Sequence, residues 1–219
     1  MEIGELVLRE DLQQALEFSR QRIASPGSWW TGPQRVALAL HARAARSQRG
    51  DAPWNREKAN AGDAGLPPAA LEVAEVVAAD AHRIDRAWAS EKIETLGDAA
   101  YVEIVALVAC LTAMDAFAEA LGVAPQPLPE PRPGEPDRKR PEGLADIGAH
   151  VEMIDPFSGP NVARALTLAP DDLMSFFGLV GAMYAAQDFS EVVWAERPLS
   201  RPQVELVAAR VSSLNECFY

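Results

Sequence analysis

Seven prolines crowded between residues 124 and 141 constrain this chain more than any other sequence feature. They stand at near-alternate positions: Pro125, Pro127, Pro129, Pro131, Pro133, Pro136 and Pro141. Proline fixes φ and removes a backbone donor, so neither a helix nor a central strand can run through the stretch. We expect an extended, semi-rigid spacer that rises about 3.1 Å per residue. An interdomain linker is the favoured interpretation, and a ligand for a proline-binding module is the alternative.

Helical patterning dominates both sides of the prolines. Hydrophobic residues make up 48% of the 219 residues, which is enough for a sizeable core. Alanine is abundant and β-branched runs are few, which favours helices over sheet. The strongest pattern spans 99–121, with Asp98 as the expected cap and Gly122 as the end. It is apolar on nearly every face and is therefore predicted to be the central buried helix of an all-α fold. Further helices are predicted near 9–23, 31–46, 67–81, 84–93, 162–166, 171–186 and from 200 onwards.

Two of these helices begin with the same signature. Thr31-Gly32-Pro33-Gln34 and Ser200-Arg201-Pro202-Gln203 share the form [Ser/Thr]-x-Pro-Gln, a capping box with an early proline. Each follows a tryptophan-containing stretch and opens a helix rich in Ala, Val, Leu and Arg. We interpret the pair as a diverged internal repeat, one copy on each side of the prolines. The alternative is that two helices merely share good capping chemistry.

Net charge and targeting signals limit the partners and the cellular location that we expect for this protein. The formal net charge is −12, which repels phosphate backbones and anionic lipid surfaces, so neither nucleic acid nor membrane is an expected partner. The start of the chain, Met1–Glu5, has no cationic n-region, and the longest apolar run, 104–114, is too short to span a bilayer. We expect a cytoplasmic protein whose two cysteines, Cys110 and Cys217, remain thiols.

The final predicted helix places a carboxylate and a thiol twelve positions apart, at Glu205 and Cys217. Its three-four spaced apolar residues, here called the apolar stripe, are Val204, Val207, Val211, Leu214 and Phe218. Glu205 lies beside the stripe, and we expect a partly buried position there to raise the pKa of its carboxyl. Asn215 is expected to cap a new turn that favours the Cys217 thiolate. A thiolate is the nucleophile that attacks a peroxide O–O bond, and a second thiol resolves the resulting sulfenic acid.

The run from Leu199 to Tyr219 resembles the thiol-motif helix of the AhpD-like alkylhydroperoxidase and carboxymuconolactone decarboxylase family, where a Glu is followed after eleven residues by Cys-x-x-Cys and then a His. Residues 98–105 and the helix they open resemble the helix that follows the thiol site in such proteins. The proline segment, with Met153 and 161–166, resembles two-domain members. The resemblance implies thiol-dependent hydroperoxide reduction with Cys217 as a redox-active sulfur and Glu205 as the start of a proton relay. It also implies a peroxide or other small-molecule substrate, a dithiol reductant or redox partner protein, and a homo-oligomer.

The chain departs from that family pattern in both halves. Aligning the two Pro-Gln pairs places Val36 opposite Glu205 and Gln48 opposite Cys217, so the first half is expected to have lost the chemistry and to serve as a structural or pairing partner. The second Cys and the His would fall beyond Tyr219, and we expect a chain truncated inside the motif. The predicted organisation is a degenerate AhpD-like half at 1–123, a linker at 124–142 and an incomplete second half at 143–219.

Three functions remain open from the sequence: peroxide reduction, a non-catalytic scaffold or oligomerisation module, and decarboxylase-type lyase chemistry. The apolar stripe is expected to pack on a partner or on the N-terminal half. Cys110, mid-helix among apolar residues, is expected to be a core residue. No metal or cofactor is predicted, because the three histidines show no ligand spacing with either cysteine and no phosphate-cradling glycine loop occurs; they are His41, His82 and His150.

Overall fold

The computed structural model describes residues 2–3, 6–57, 64–184 and 198–214, and within this part the fold is all-α, as predicted. Short 3₁₀ turns occur at Pro53–Asn55 and Ala81–Arg83. Eight α-helices are present in the described residues: α1 (Glu10–Ala24), α2 (Gly32–Ser47), α3 (Pro68–Ala79), α4 (Arg86–Leu96), α5 (Asp98–Ala120), α6 (Asn161–Arg164), α7 (Pro170–Met183) and α8 (Arg201–Leu214).

Helix α5 forms the centre of the core, as its apolar sequence predicts. α1, α2, α3, α4 and α7 pack around it, and Ile104, Leu107 and Leu111 are almost fully buried. The helix is long and apolar enough to cross a membrane by composition alone, but 61% of its most apolar window is buried inside the protein. Its hydrophobicity is therefore accounted for by its place in the core.

The start of α5 differs from the prediction by one position. Asp98 is the first helical residue, and the cap position belongs to Gly97, whose φ of 87° favours glycine. The Asp98 carboxylate accepts a hydrogen bond from the Ala99 N–H at 2.7 Å and pairs with Arg140 at 2.6 Å. These contacts, with burial opposing them, hold the pKa of Asp98 below its ordinary value. At the other end, Gly122 with φ of 70° follows the helix as predicted.

The proline segment forms no helix or strand, as predicted, but it lies along the body of the protein. The Arg132 N–H donates to the Ala24 carbonyl at 2.7 Å, and the Arg138 N–H donates to the Ser28 carbonyl at 2.9 Å. The Arg138 guanidinium also lies 5.3 Å from the centre of the Trp29 ring. A Cβ on Gly32 would come within 2.3 Å of the Arg132 carbonyl oxygen. We call residues 124–141 the proline strap, because they cross the α1–α2 turn in close contact with it.

Beyond the strap, the chain returns to the same core. α7 packs against α1 and α5, and Leu166, Leu168 and Ala169 belong to the apolar cluster that contains Ile104. Residues 161–183 therefore complete the core of the first part, while the division into repeated halves stays a prediction. Two antiparallel pairs of two-residue strands, too short to leave a periodic signal, were not predicted: β1 (Glu2–Ile3) with β2 (Leu6–Val7), and β3 (Leu144–Ala145) with β4 (Met153–Ile154).

Candidate functional site

The two residues predicted to carry chemistry fall on or after α8. Glu205 lies in the second turn of α8, where Arg201 Nε donates to Glu205 Oε1 at 3.5 Å. Its side chain is 47% exposed, so the expected partly buried position is wrong for the single chain. Cys217 and its expected cap Asn215 lie outside the described residues, so the expected meeting of the carboxylate and the thiol stays a prediction.

Helix α8 begins as its capping signature predicts. The Ser200 N–H donates to Gln203 Oε1 at 2.8 Å, which is the backward half of a capping box. The equivalent bond at α2, from the Thr31 N–H to Gln34 Oε1, measures 3.0 Å, and there the forward bond is present as well. The [Ser/Thr]-x-Pro-Gln motif thus starts a helix in both places.

Three residues of the apolar stripe are exposed on α8, and Val204 is partly buried. Val207, Val211 and Leu214 are 59%, 50% and 63% exposed, and the neighbouring Leu206 is 71% exposed. No residue of α8 is buried, and no other described helix packs extensively on it. The alternative in which the stripe packs on the N-terminal half is therefore wrong for the described residues. Association with a partner stays a prediction, and Phe218 lies outside the described residues.

A buried ion cluster joins α2, α5 and α7, and the sequence reasoning missed it. Arg35 is fully buried; its Nη1 donates to Glu103 Oε1 at 2.5 Å and its Nη2 donates to Asp172 Oδ1 at 2.6 Å. Arg22 of α1 adds a second cation, with Nε 3.3 Å from Asp172 Oδ1. Two cations thus face two carboxylates, and the cluster ties the elements on both sides of the proline strap together.

The cluster is closely surrounded by neighbouring groups. The Trp29 backbone N–H donates to Glu103 Oε2 at 2.7 Å, and Arg35 Nε donates to the Ile23 carbonyl at 3.4 Å. A Cβ on Gly27 would lie 1.7 Å from Glu103 Oε1, so only glycine fits between the cluster and the α1–α2 turn. Because Arg35 and Glu103 are closed to solvent, we assign the cluster a structural role.

Burial and ion pairing shift the pKa values of the charged groups in the cluster. Burial raises the pKa of the Glu103 carboxyl, against the opposing pull of Arg35. Burial also disfavours the Asp172 carboxylate, but Arg35 and Arg22 outweigh it and hold the pKa of Asp172 below its ordinary value. Burial likewise disfavours charge on Arg35, yet its two carboxylate partners raise the pKa of its guanidinium. Arg35 and Asp172 are therefore a charged pair at neutral pH.

Cys110 lies in the core, as predicted, and is 4% exposed. Its Sγ lies 3.9 Å from Ser175 Oγ, which donates to Ser19 Oγ at 3.1 Å. Burial raises the pKa of the Cys110 thiol, so it is a poor nucleophile. Burial and the raised pKa of its thiol both disfavour thiolate chemistry at this cysteine.

The positions aligned with the predicted thiol site are structural in the first half. Val36 is partly buried on α2, and the Gln48 side-chain amide donates to the Ala44 and Glu57 carbonyls, each at 3.1 Å. Gln48 Oε1 also accepts from the Glu57 N–H at 2.7 Å. In the part of the chain that the structure describes, no group of three or more His, Cys, Asp or Glu side chains is placed to hold a metal.

A signal for the ion cluster was available in the sequence. Among Arg35, Glu103 and Asp172, the signal is clearest at Glu103, because its neighbours Val102 and Ile104 are apolar and a buried charge in such a position requires a partner. The sequence could not say which charges would meet, because the three residues come from distant parts of the chain.

Comparison with protein-family models, with curated proteins and with solved structures finds no match. Membership of the AhpD-like family therefore stays a prediction, made from residues 199–219, from 98–105 with the helix they open, and from the proline segment with Met153 and 161–166.

Proposed function

We propose that this protein reduces hydroperoxides by thiol chemistry at the end of α8, and that it does so as a self-associating protein whose apolar stripe is covered by a second copy. The observation that supports the association is the exposure of Val207, Val211 and Leu214 on a helix with no buried residue. A contiguous apolar helix face in water is a typical protein-interaction surface.

The support for the chemistry is the spacing of Glu205 and Cys217 within a motif that resembles the AhpD-like thiol site. The Cys217 thiolate would attack one peroxide oxygen, the O–O bond would break, and the alcohol would leave with a proton relayed through Glu205. The resulting sulfenic acid would be attacked by one thiol of a dithiol reductant, which releases water. The second thiol of the reductant would then free Cys217, so that two electrons pass from the dithiol to the peroxide.

Cys110 offers no competing route, because its thiol is buried and the pKa of that thiol is raised. This contrast supplies a matched control within one chain. Cys217→Ser should abolish the consumption of cumene hydroperoxide with dithiothreitol, whereas Cys110→Ser should leave it unchanged in a folded protein. Glu205→Gln should slow the reaction about 100-fold, the lower range for loss of a general acid.

A non-catalytic association module is the second candidate, and the exposed apolar stripe favours it independently of any thiol. The peroxide-consumption assay also distinguishes the association module from the peroxidase. Equal, slow peroxide consumption by the parent chain and Cys217→Ser would contradict peroxide reduction. If a stable oligomer persisted in both proteins, the association module would remain as the function.

A further inference from the structure

A cavity of about 570 Å³ opens on the side of the molecule where α1, the end of α5 and the start of the proline strap meet. No residue of α8 lines it. Its volume lies in the range of pockets that hold small organic ligands, roughly 300–1,000 Å³. Its lining is mixed: the larger apolar side chains are Leu16, Met114, Phe117, Val123 and Leu128, and six further lining side chains are polar or charged.

The walls of the cavity are held in place by specific contacts. Arg20 Nη1 donates to the Pro127 carbonyl at 3.1 Å, which ties α1 to the strap. Leu128 packs against the main apolar core, and the Val123 N–H donates to the Ala118 carbonyl at 3.0 Å. The pocket is therefore formed by folded elements and needs no ligand to shape it.

The charges that line the cavity are already balanced. Arg43 Nε and Nη2 donate to the two oxygens of Asp115, both at 2.8 Å, and Arg20 makes a similar two-point pair with Glu17 at 2.9 Å. Each cation is matched by a carboxylate beside it, so an anionic ligand would gain little attraction here. The chain's net charge of −12 also disfavours the binding of an anionic ligand.

The Arg43 guanidinium in this lining has a donor that its ion pair does not use. Asp115 fixes the plane of the Arg43 guanidinium through two of its nitrogens, and Nη1 makes no hydrogen bond among the described residues. A guanidinium nitrogen is a donor only, so its partner on a ligand must be an acceptor, and a carbonyl-type oxygen is a strong one. We propose that the cavity binds an uncharged small molecule with a flat or branched apolar body and a carbonyl-type oxygen, which accepts from Arg43 Nη1.

The probe for this proposal is the neutral naphthyl ketone Prodan, whose emission shifts to the blue when it leaves water. It should bind the full chain with one-to-one stoichiometry, and the anionic dye 1-anilinonaphthalene-8-sulfonate should bind more weakly. Ala118→Phe fills the cavity from α5, and Ala124→Trp fills it from an exposed strap position that no helix contains. Each should raise the Kd at least about tenfold. Arg43→Lys keeps the charge but removes the Nη1 donor, and should raise the Kd about three- to tenfold, as expected for one hydrogen bond.

The matched control places two polar residues on α8, because exposed apolar side chains also attract dyes. Val207→Ser with Val211→Ser should leave the Kd for Prodan unchanged. Loss of binding in that control, or unchanged binding in both cavity-filling variants, would overturn the proposal, as would tighter binding of the anionic dye. Since Ala124 lies outside the helices, its variant keeps the test valid if Ala118→Phe fails to fold. The result does not depend on peroxide chemistry.

Discussion

Helices α2 and α8 begin with the same four-residue signature and end in opposite surroundings. In both, the Gln of the motif accepts a hydrogen bond from the cap N–H, at 3.0 Å in α2 and 2.8 Å in α8. Yet eight residues of α2 are buried and none of α8 is. Local chemistry therefore decides where each helix starts, while its neighbours decide whether its apolar side is covered.

Aligned positions make the contrast sharper. Leu38, which is fully buried against the core, corresponds to Val207, which is 59% exposed. Ala42 and Ala45 are buried and correspond to Val211 and Leu214, both exposed. α8 thus carries apolar residues at the positions that α2 buries, and it carries them without the cover that α1, α3 and α5 give to α2. This correspondence is why we propose that a second copy covers α8.

Substitutions at the aligned positions Arg35 and Val204 should show the largest difference in their effect on the free energy of unfolding. Arg35→Met should lower the free energy of unfolding by about 3–5 kcal/mol, because it leaves two buried carboxylates without their main partner. Val204→Met on α8 should change it by less than about 0.5 kcal/mol. Urea unfolding followed by circular dichroism measures both values. Equal losses would contradict the assignment of one helix to the core and the other to its outside.

Alanine substitutions at the apolar positions Leu38 and Val207 should show a smaller difference in their effect on the free energy of unfolding. Leu38→Ala should cost about 2–5 kcal/mol, through lost burial and the cavity left behind. Val207→Ala, measured under dilute conditions, should stay within about 0.5 kcal/mol of the parent chain. If Val207→Ala were as costly as Leu38→Ala, the stripe would be buried within the single chain and the contrast would fail.

Much of the fold could be predicted from the sequence, because its signals are local. Residue chemistry within a few positions accounts for the caps at Thr31 and Ser200, the end of α5 at Gly122, and the absence of helix and strand in the proline strap. The placement of the strap and of α7 could not be predicted, since it depends on contacts between distant residues such as Arg35 with Asp172 and Arg132 with Ala24.

The candidate site was harder to predict for a related reason. A helical period identifies an apolar stripe, but it cannot say whether a carboxylate next to that stripe will be shielded. Glu205 is exposed because no described element packs on α8, and that information is absent from the spacing of its neighbours. The cavity lined by Arg43 and Leu128 left no motif, since its walls come from three separate segments.

The claim that α8 is covered by a second copy is tested most directly by the mass of the protein in solution. Multi-angle light scattering on the purified chain should give a multiple of its 23.7 kDa mass. Val207→Asp combined with Val211→Asp places two charges on the stripe and should return the monomer mass, while the same change at the exposed Phe18 and Met174 should leave the oligomer intact. A parent chain that is monomeric across the whole accessible concentration range would contradict the account.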